Sequence, residues 1–238
     1  MNEAVADQTP VSKPALVSGT FLARLTPQER EAIEALGRPT SFPRGSTMMF
    51  EGEVEERLML ILGGRVKITR TGPEGREIIL GIRDPGDLLG ELAFIDRRPR
   101  SATVVALEPV KTLMMPGSRF REHLEHTPRV AVVLLEVVAG RFREATLNRL
   151  QFSALDTMGR LSARILELAE RYGENVNGSI EIQLPLSQEE LASWTGASRT
   201  GVAQALQSLR ELNWLDTQRG RMTVKDPAAL QARANAAP

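Results

Sequence analysis

The apolar periodicity of this chain changes once, at about residue 127, and that change divides what it can fold into. Upstream, from about residue 40 to 116, the apolar runs are short. Examples are Leu58-Met59-Leu60-Ile61-Leu62, Val66-Lys67-Ile68-Thr69, Ile78-Ile79-Leu80 and Ala102-Thr103-Val104-Val105. Pro43, Gly45, Gly52, Gly63, Gly64, Gly75 and Gly86 mark the turns, and Thr71-Gly72-Pro73-Glu74-Gly75 reads as a hairpin loop. Short strands at this spacing predict a sandwich or barrel-like roll. Downstream, Leu135, Val138, Phe142, Ala145, Arg149 and Phe152 step by three and four, the seam of a long amphipathic helix. Leu134, Val137, Leu147 and Leu150 make other faces of that helix apolar as well. It is therefore expected to be buried on more than one side, by the roll and either by a second copy of the chain or by the core of a single one.

The flanking segments complete the organisation. Residues 1–20 lack periodicity and read as a mobile arm. Thr26-Pro27-Gln28-Glu29 is a capping box with proline at the first helical position, opening a helix to about Leu36. Asp156 begins another helix, to about Tyr172, with Leu161, Ile165, Leu168 and Ala169 inward. Gly173 and Gly178 follow, then an alternating strand, Ile180-Glu181-Ile182-Gln183-Leu184. Ser187-Gln188-Glu189-Glu190 is a second capping box, opening a helix to Trp194. Thr195-Gly196-Ala197 forms a turn, Ser198 caps the next helix, and a hairpin is expected about Arg219-Gly220. Helix, helix and hairpin in that order predict a winged helix-turn-helix. The alanine-rich tail after Pro227 is expected to add one short helix. The expected class is α+β: an arm at 1–20, a β-roll at 21–126, a dimerisation helix at 127–155 and a winged helix-turn-helix at 156–238.

Composition narrows the chemistry. Thirty basic and thirty acidic residues cancel in 238, so any footprint for nucleic acid must be local. Within residues 198–225, Arg199, Arg210, Arg219, Arg221 and Lys225 face only Glu211 and Asp216. There are no cysteines, which excludes disulfides, thiolate nucleophiles and cysteine-held iron–sulfur clusters. The two histidines, His123 and His126, are expected to be solvated, and no metal or haem site is expected from them. The apolar runs fall short of a membrane span, and no basic start precedes an apolar segment at the N-terminus, so a cytoplasmic protein is expected.

Two constellations carry chemistry. Gly90-Glu91-Leu92 is followed by Arg100-Ser101-Ala102-Thr103, which pairs a flexible backbone point and a carboxylate with an arginine beside a hydroxyl. A cyclic nucleotide needs such groups: the carboxylate can accept from a ribose 2′-OH and the guanidinium can pair with the cyclic phosphate. On the second helix of the helix-turn-helix, Arg199, Thr200, Ala203 and Gln204 lie away from Val202 and Leu206, near the amino terminus that enters a major groove. Arg199 suits guanine O6 and N7, Gln204 adenine N6 and N7, and Ser198 a phosphate. Ser187 and Gln188, opening the first helix, join this candidate DNA-contacting set.

The string from Leu89 to Phe94, followed by Pro99-Arg100-Ser101-Ala102-Thr103-Val104, resembles the phosphate-binding cassette of cyclic-nucleotide-binding domains. With the helix-turn-helix behind it, the chain over roughly residues 20–225 resembles the catabolite activator (cyclic AMP receptor) family of bacterial regulators. The resemblance implies that Glu91 takes the ribose 2′-OH, Arg100 the exocyclic phosphate oxygens and Ser101 a further hydrogen bond. Gly90 would permit close backbone approach, with amides near Leu92 and Ala102 completing the cradle. The family's base-contacting arginine and paired hydroxyls fall on Arg141, Ala145 and Thr146, so one hydroxyl is lost. The family's Ser-Arg-Glu-Thr-Val run is here Ser198-Arg199-Thr200-Gly201-Val202, and its second base-reading arginine is Gln204.

What the resemblance implies is a homodimeric transcription regulator that is not an enzyme. It would be gated by a cyclic nucleotide, cyclic AMP first, and would bind a two-fold symmetric DNA site and RNA polymerase. Regulation by cyclic GMP, by cyclic di-GMP or without a nucleotide are the alternatives, and a β-roll interaction protein that binds no DNA is a more remote one. A cupin-like enzyme would need clustered histidines in the roll, which has none.

Overall fold

The computed structural model describes residues 17–72, 75–184, 186–218 and 220–236, and for residues 148–154 the backbone alone. Two antiparallel four-stranded sheets form the roll. One runs β1 (Arg38–Phe42), β8 (Val110–Met115), β3 (Leu58–Gly63), β6 (Leu88–Leu89) in spatial order. The other runs β2 (Thr47–Met49), β7 (Thr103–Ala106), β4 (Val66–Thr71), β5 (Glu77–Arg83). Strand β3 explains how one apolar run serves two cores, because successive side chains point to opposite faces. Met59 and Ile61 join Val66, Leu89, Val104 and Val110 inside the roll. Leu58 and Leu60 instead face Phe21, Ile33, Phe94 and Phe120.

That second core is closed by helices. They are α1 (Pro27–Glu34), with its predicted capping box and proline, α2 (Glu91–Asp96) and α3 (Gly117–His126). Helix α4 (Pro128–Ala154) then lays Val130, Val133, Leu134 and Val137 onto it. The described residues begin at Val17, before the expected arm boundary at 20. Thr20 is buried and its hydroxyl donates to the Val17 carbonyl at 2.8 Å.

Leu155 is extended (φ −114°, ψ 144°) and breaks the helical run. Asp156 then caps α5 (Thr157–Tyr172) by accepting from the Gly159 amide at 2.8 Å. This bond, then the nearby Arg233 guanidinium, hold the Asp156 carboxyl below the usual aspartate range. Next come β9 (Gly173–Val176), β10 (Ser179–Gln183), α6 (Gln188–Thr195), α7 (Arg199–Glu211), β11 (Leu215–Gln218), β12 (Arg221–Val224) and α8 (Pro227–Asn235). Capping by Ser187 and Ser198, and a left-handed Gly196 (φ 61°) between α6 and α7, agree with the sequence expectation. Strand β9 does not. The sequence pattern predicts no strand there, and the structure forms one because Asn177 and Gly178 both take positive φ (50° and 84°), the requirement of a tight hairpin turn. Among the described residues no helix is long and apolar enough to cross a membrane.

The helix-turn-helix core meets the roll. Leu161, Ile165, Trp194, Val202, Leu206 and Leu209 cluster with Ile79, Ile82 and Leu107. A bulge makes this possible. Ile68 pairs with Gly81 and Thr69 with Ile79, so Leu80 is an extra residue that shifts the alternation of β5. Ile79 and Ile82 consequently face the helical domain, while Leu80 and Arg83 line a cavity of the roll.

Along α4 the predicted seam is exposed at Leu135 (57%) and Phe142 (74%), and Val132 and Leu147 join it. Ala145 is also exposed. Val138 differs: it is half-buried and lines the cavity. The side chains of Arg149, Leu150 and Phe152 fall outside the described residues. Large apolar side chains left uncovered along one helix are the expected face for a second copy of the chain. Leu135→Lys with Phe142→Lys should turn a sedimenting dimer into a folded monomer at micromolar concentration. A monomeric unsubstituted chain at that concentration would contradict the expectation.

Candidate ligand site and nucleic-acid interface

The GEL and RSA segments line one cavity of about 350 Å³ between the roll and α4. Gly90 caps α2 at φ 83°, a conformation that favours glycine. A β-carbon there would collide with the Arg100 guanidinium and approach the Arg57 carbonyl. Arg100 is buried (4% exposed). Its Nη1 donates to the Gly90 carbonyl at 3.0 Å, its Nη2 to the Arg57 carbonyl, and its Nε has no hydrogen-bond partner. Among the described residues it forms no ion pair, and burial draws its pKa down from the ordinary arginine value. The protein thus keeps a buried cation at a cavity wall, hydrogen-bonded to carbonyls and with carboxylates near it but none paired with it among the described residues, an arrangement that an entering anion relieves.

Glu91, also buried, accepts from Arg141 Nη1 at 2.6 Å, while Arg141 Nη2 donates to Asp87 at 2.8 Å. Both Nη atoms reach the Leu88 carbonyl at 3.2 and 3.3 Å. Burial alone would lower the Arg141 pKa, but Glu91 and Asp87 together raise it. Arg141 therefore pins α4 to the roll and fixes the Glu91 carboxylate. Gly90, Glu91, Leu92, Arg100, Ser101, Ala102 and Arg141 all line the cavity, with Ala145 at its helical edge. Thr146 is not among these lining residues. It is exposed and its hydroxyl donates back to the Phe142 carbonyl at 3.0 Å. Arg83, which the sequence reading passed over, is in the lining.

On the helix-turn-helix, Arg199, Thr200 and Gln204 are exposed and Ala203 half-buried. Ser198 Oγ accepts from the Gly201 amide at 3.0 Å. Ser187 is engaged in its capping box with Glu190, and Gln188 is exposed. The local basic surplus is smaller than the count over 198–225 suggested. Glu189 lies 3.6 Å from Arg199 and Glu181 2.6 Å from Arg221, and both acids come from outside that window. His126 is exposed as expected, but His123 is half-buried, with its Nε2 enclosed and unpartnered. Among the described residues no group of three or more His, Cys, Asp or Glu could hold a metal.

Contacts between the two units were not foreseen. Strand β5 is a sheet edge, and Ser193 of α6 closes it: the Ile79 amide donates to Ser193 Oγ at 3.0 Å, and that hydroxyl donates to the Glu77 carbonyl at 2.6 Å. Lys67 stands between Glu77 (2.7 Å) and Glu190 (3.1 Å). Asp84, fully buried, accepts from the Tyr172 hydroxyl at 2.9 Å and from Arg171 at 2.5 Å. Burial pushes the Asp84 carboxyl up, against the pull of Arg171.

Comparison with known proteins agrees with both units. Residues 39–127 match the cyclic nucleotide-binding domain family and residues 159–233 the Crp-like helix-turn-helix domain family. The chain is 35% identical over 209 residues to the CRP-like cAMP-activated global transcriptional regulator of Mycobacterium tuberculosis strain H37Rv, covering 87% of this chain and 93% of that one. It is 27% identical over 207 residues to the cyclic AMP receptor protein of Thermus thermophilus, with the same two shares. A solved structure of a CooA mutant from Carboxydothermus hydrogenoformans superposes with a TM-score of 0.75 at 19% identity, covering 94% of this chain and 99% of that one. A roll, a long helix and a helix-turn-helix in this order, with these likenesses, place the chain in the CRP/FNR family of transcription regulators.

Proposed function

We propose that the protein is a dimeric DNA-binding regulator whose DNA affinity is set by a cyclic mononucleotide held between roll and α4. The carrying observation is Arg100, a buried guanidinium without a carboxylate partner among the described residues, facing a cavity that also holds the Glu91 carboxylate. A cyclic phosphate would supply the missing anion and a ribose 2′-OH would donate to Glu91. Cyclic AMP, the effector in the names of the relatives from Mycobacterium and Thermus, satisfies both. The cavity, at the low end of about 300–1,000 Å³ for small-molecule sites, favours one nucleotide over a cyclic dinucleotide.

The route to DNA is short. Strand β5 lines the cavity on one face and carries the α6 contact at its edge, so an occupied cavity can bias how the helix-turn-helix is held. The proposed switch is a population shift between this docked arrangement and one that sets two recognition helices about 34–36 Å apart on a duplex.

Titration calorimetry with cyclic AMP and cyclic GMP tests the ligand. Arg100→Leu should weaken binding at least tenfold, since charge-assisted hydrogen bonds contribute about 1.5–3 kcal/mol each, while the dimer stays folded. Absence of heat from the unsubstituted protein, or undiminished binding by Arg100→Leu, would remove the assignment.

For DNA, selection from random duplexes should yield a two-fold symmetric site with a guanine opposite Arg199. The neighbouring bases should differ from the family's usual half-site, because Thr200 cannot accept from cytosine as a carboxylate does. Arg199→Ala should cost about 1–3 kcal/mol and flatten preference at that guanine. Recovery of the usual half-site by the unsubstituted protein would show that Thr200 and Gln204 do not alter readout.

A further inference from the structure

Arg83 is a second unpaired cation of the cavity, and its position differs from that of Arg100. It ends β5, past the bulge at Leu80, and lines this cavity as well as a neighbouring cleft with Asp87 and Glu144. Its Nη1 donates to the Ile82 carbonyl at 2.8 Å, and among the described residues it forms no ion pair. A guanidinium carries five N–H donors, so most of its capacity is unspent by that bond. Gly81 makes room for it: a β-carbon there would stand 3.1 Å from Arg83 Nη1. Burial, and then the charge of Arg141, lower its pKa. Arginine nevertheless stays protonated in proteins.

Neither guanidinium has an ion pair among the described residues, and their charged surroundings differ. Around Arg100 are Glu55, Arg57, Glu91 and Glu53. Around Arg83 are Arg141, Asp87, Glu91 and Glu144. The Glu91 charge acts on both. If Arg100 holds the cyclic phosphate and Glu91 the ribose, the base is left to the rest of the lining, which includes Arg83, Leu80, Phe142 and Ala145. This step rests on the cyclic-nucleotide reading above.

We infer that Arg83 is a specificity-determining residue that reads the base and favours a 6-oxopurine, so that cyclic GMP binds more tightly than cyclic AMP. Guanine presents O6 and N7 as adjacent acceptors, which match the two parallel donors of a guanidinium. Adenine presents N7 beside an amino group, so the same fork makes one bond and meets one donor. Ala145, exposed at the helical edge, offers no side-chain acceptor to that amino group.

The test is calorimetry of the full-length protein with cyclic AMP and cyclic GMP, for the unsubstituted chain, Arg83→Leu and Arg83→Lys. The unsubstituted protein should prefer cyclic GMP by about tenfold. Arg83→Leu should lose that preference through weaker cyclic GMP binding, with cyclic AMP affinity changed less than threefold. Arg83→Lys, which keeps the charge but not the fork, should not restore the preference, and circular dichroism should show both variants folded. An unchanged ratio between the nucleotides in Arg83→Leu, an equal loss for both, or a preference of the unsubstituted protein for cyclic AMP would overturn the inference. Binding of neither nucleotide by the unsubstituted protein would instead remove the ligand reading on which it rests, and the inference with it.

Discussion

The turn between β5 and β6, residues 84–87, is the joint on which the rest of the molecule depends. It holds two buried carboxylates with opposite duties. Asp87 receives Arg141 and so ties the long helix, and through it Glu91, to the roll. Asp84 receives Tyr172 and Arg171 from the last turn of α5, in the helical domain. The two acids are themselves linked, the Asp84 amide donating to Asp87 at 2.9 Å. Cavity wall, long helix and helix-turn-helix thus converge on four residues. Buried ion pairs of this kind add little net stability, because desolvation offsets attraction. Removing one partner is costly, however, and that asymmetry suits them to fixing one arrangement of three elements.

Strand β5 extends the same joint. One extra residue, Leu80, gives it two working faces, one lining the cavity and one packed on the helical domain. Its open edge, which would otherwise expose an unpaired amide and carbonyl, is closed by a single serine hydroxyl that both accepts and donates. A hydroxyl is exchangeable for water at little cost, whereas a strand partner is not. The proposed population shift would require this docked arrangement to separate, and a contact closed by a hydroxyl is compatible with that.

Much of this was legible in the sequence. Local periodicity and capping pairs act over a few residues, so Thr26 with Glu29, Ser187 with Glu190, and the alternation of β3 announced their elements directly. The GEL and RSA segments carried the cavity because a cassette is continuous in the chain. The joint was not legible. Asp87 and Arg141 are 54 residues apart and Ile79 and Ser193 are 114 apart, and no local pattern records such pairs. Arg83 is not legible because the bulge changes the phase of β5. The resemblance assigns Thr146 to the ligand set, and its hydroxyl donates to the Phe142 carbonyl one turn back. The Asn177-Gly178 pair of the β9–β10 hairpin is a turn signal that the sequence does carry.

Hydrogen exchange of the full-length dimer, with and without saturating cyclic nucleotide, tests the central claim that the cavity and the helix-turn-helix communicate through this joint. The account predicts changed protection in peptides covering residues 77–87, 171–172 and 190–193, together with those lining the cavity. Changes confined to residues 89–102 and 138–145 would contradict it.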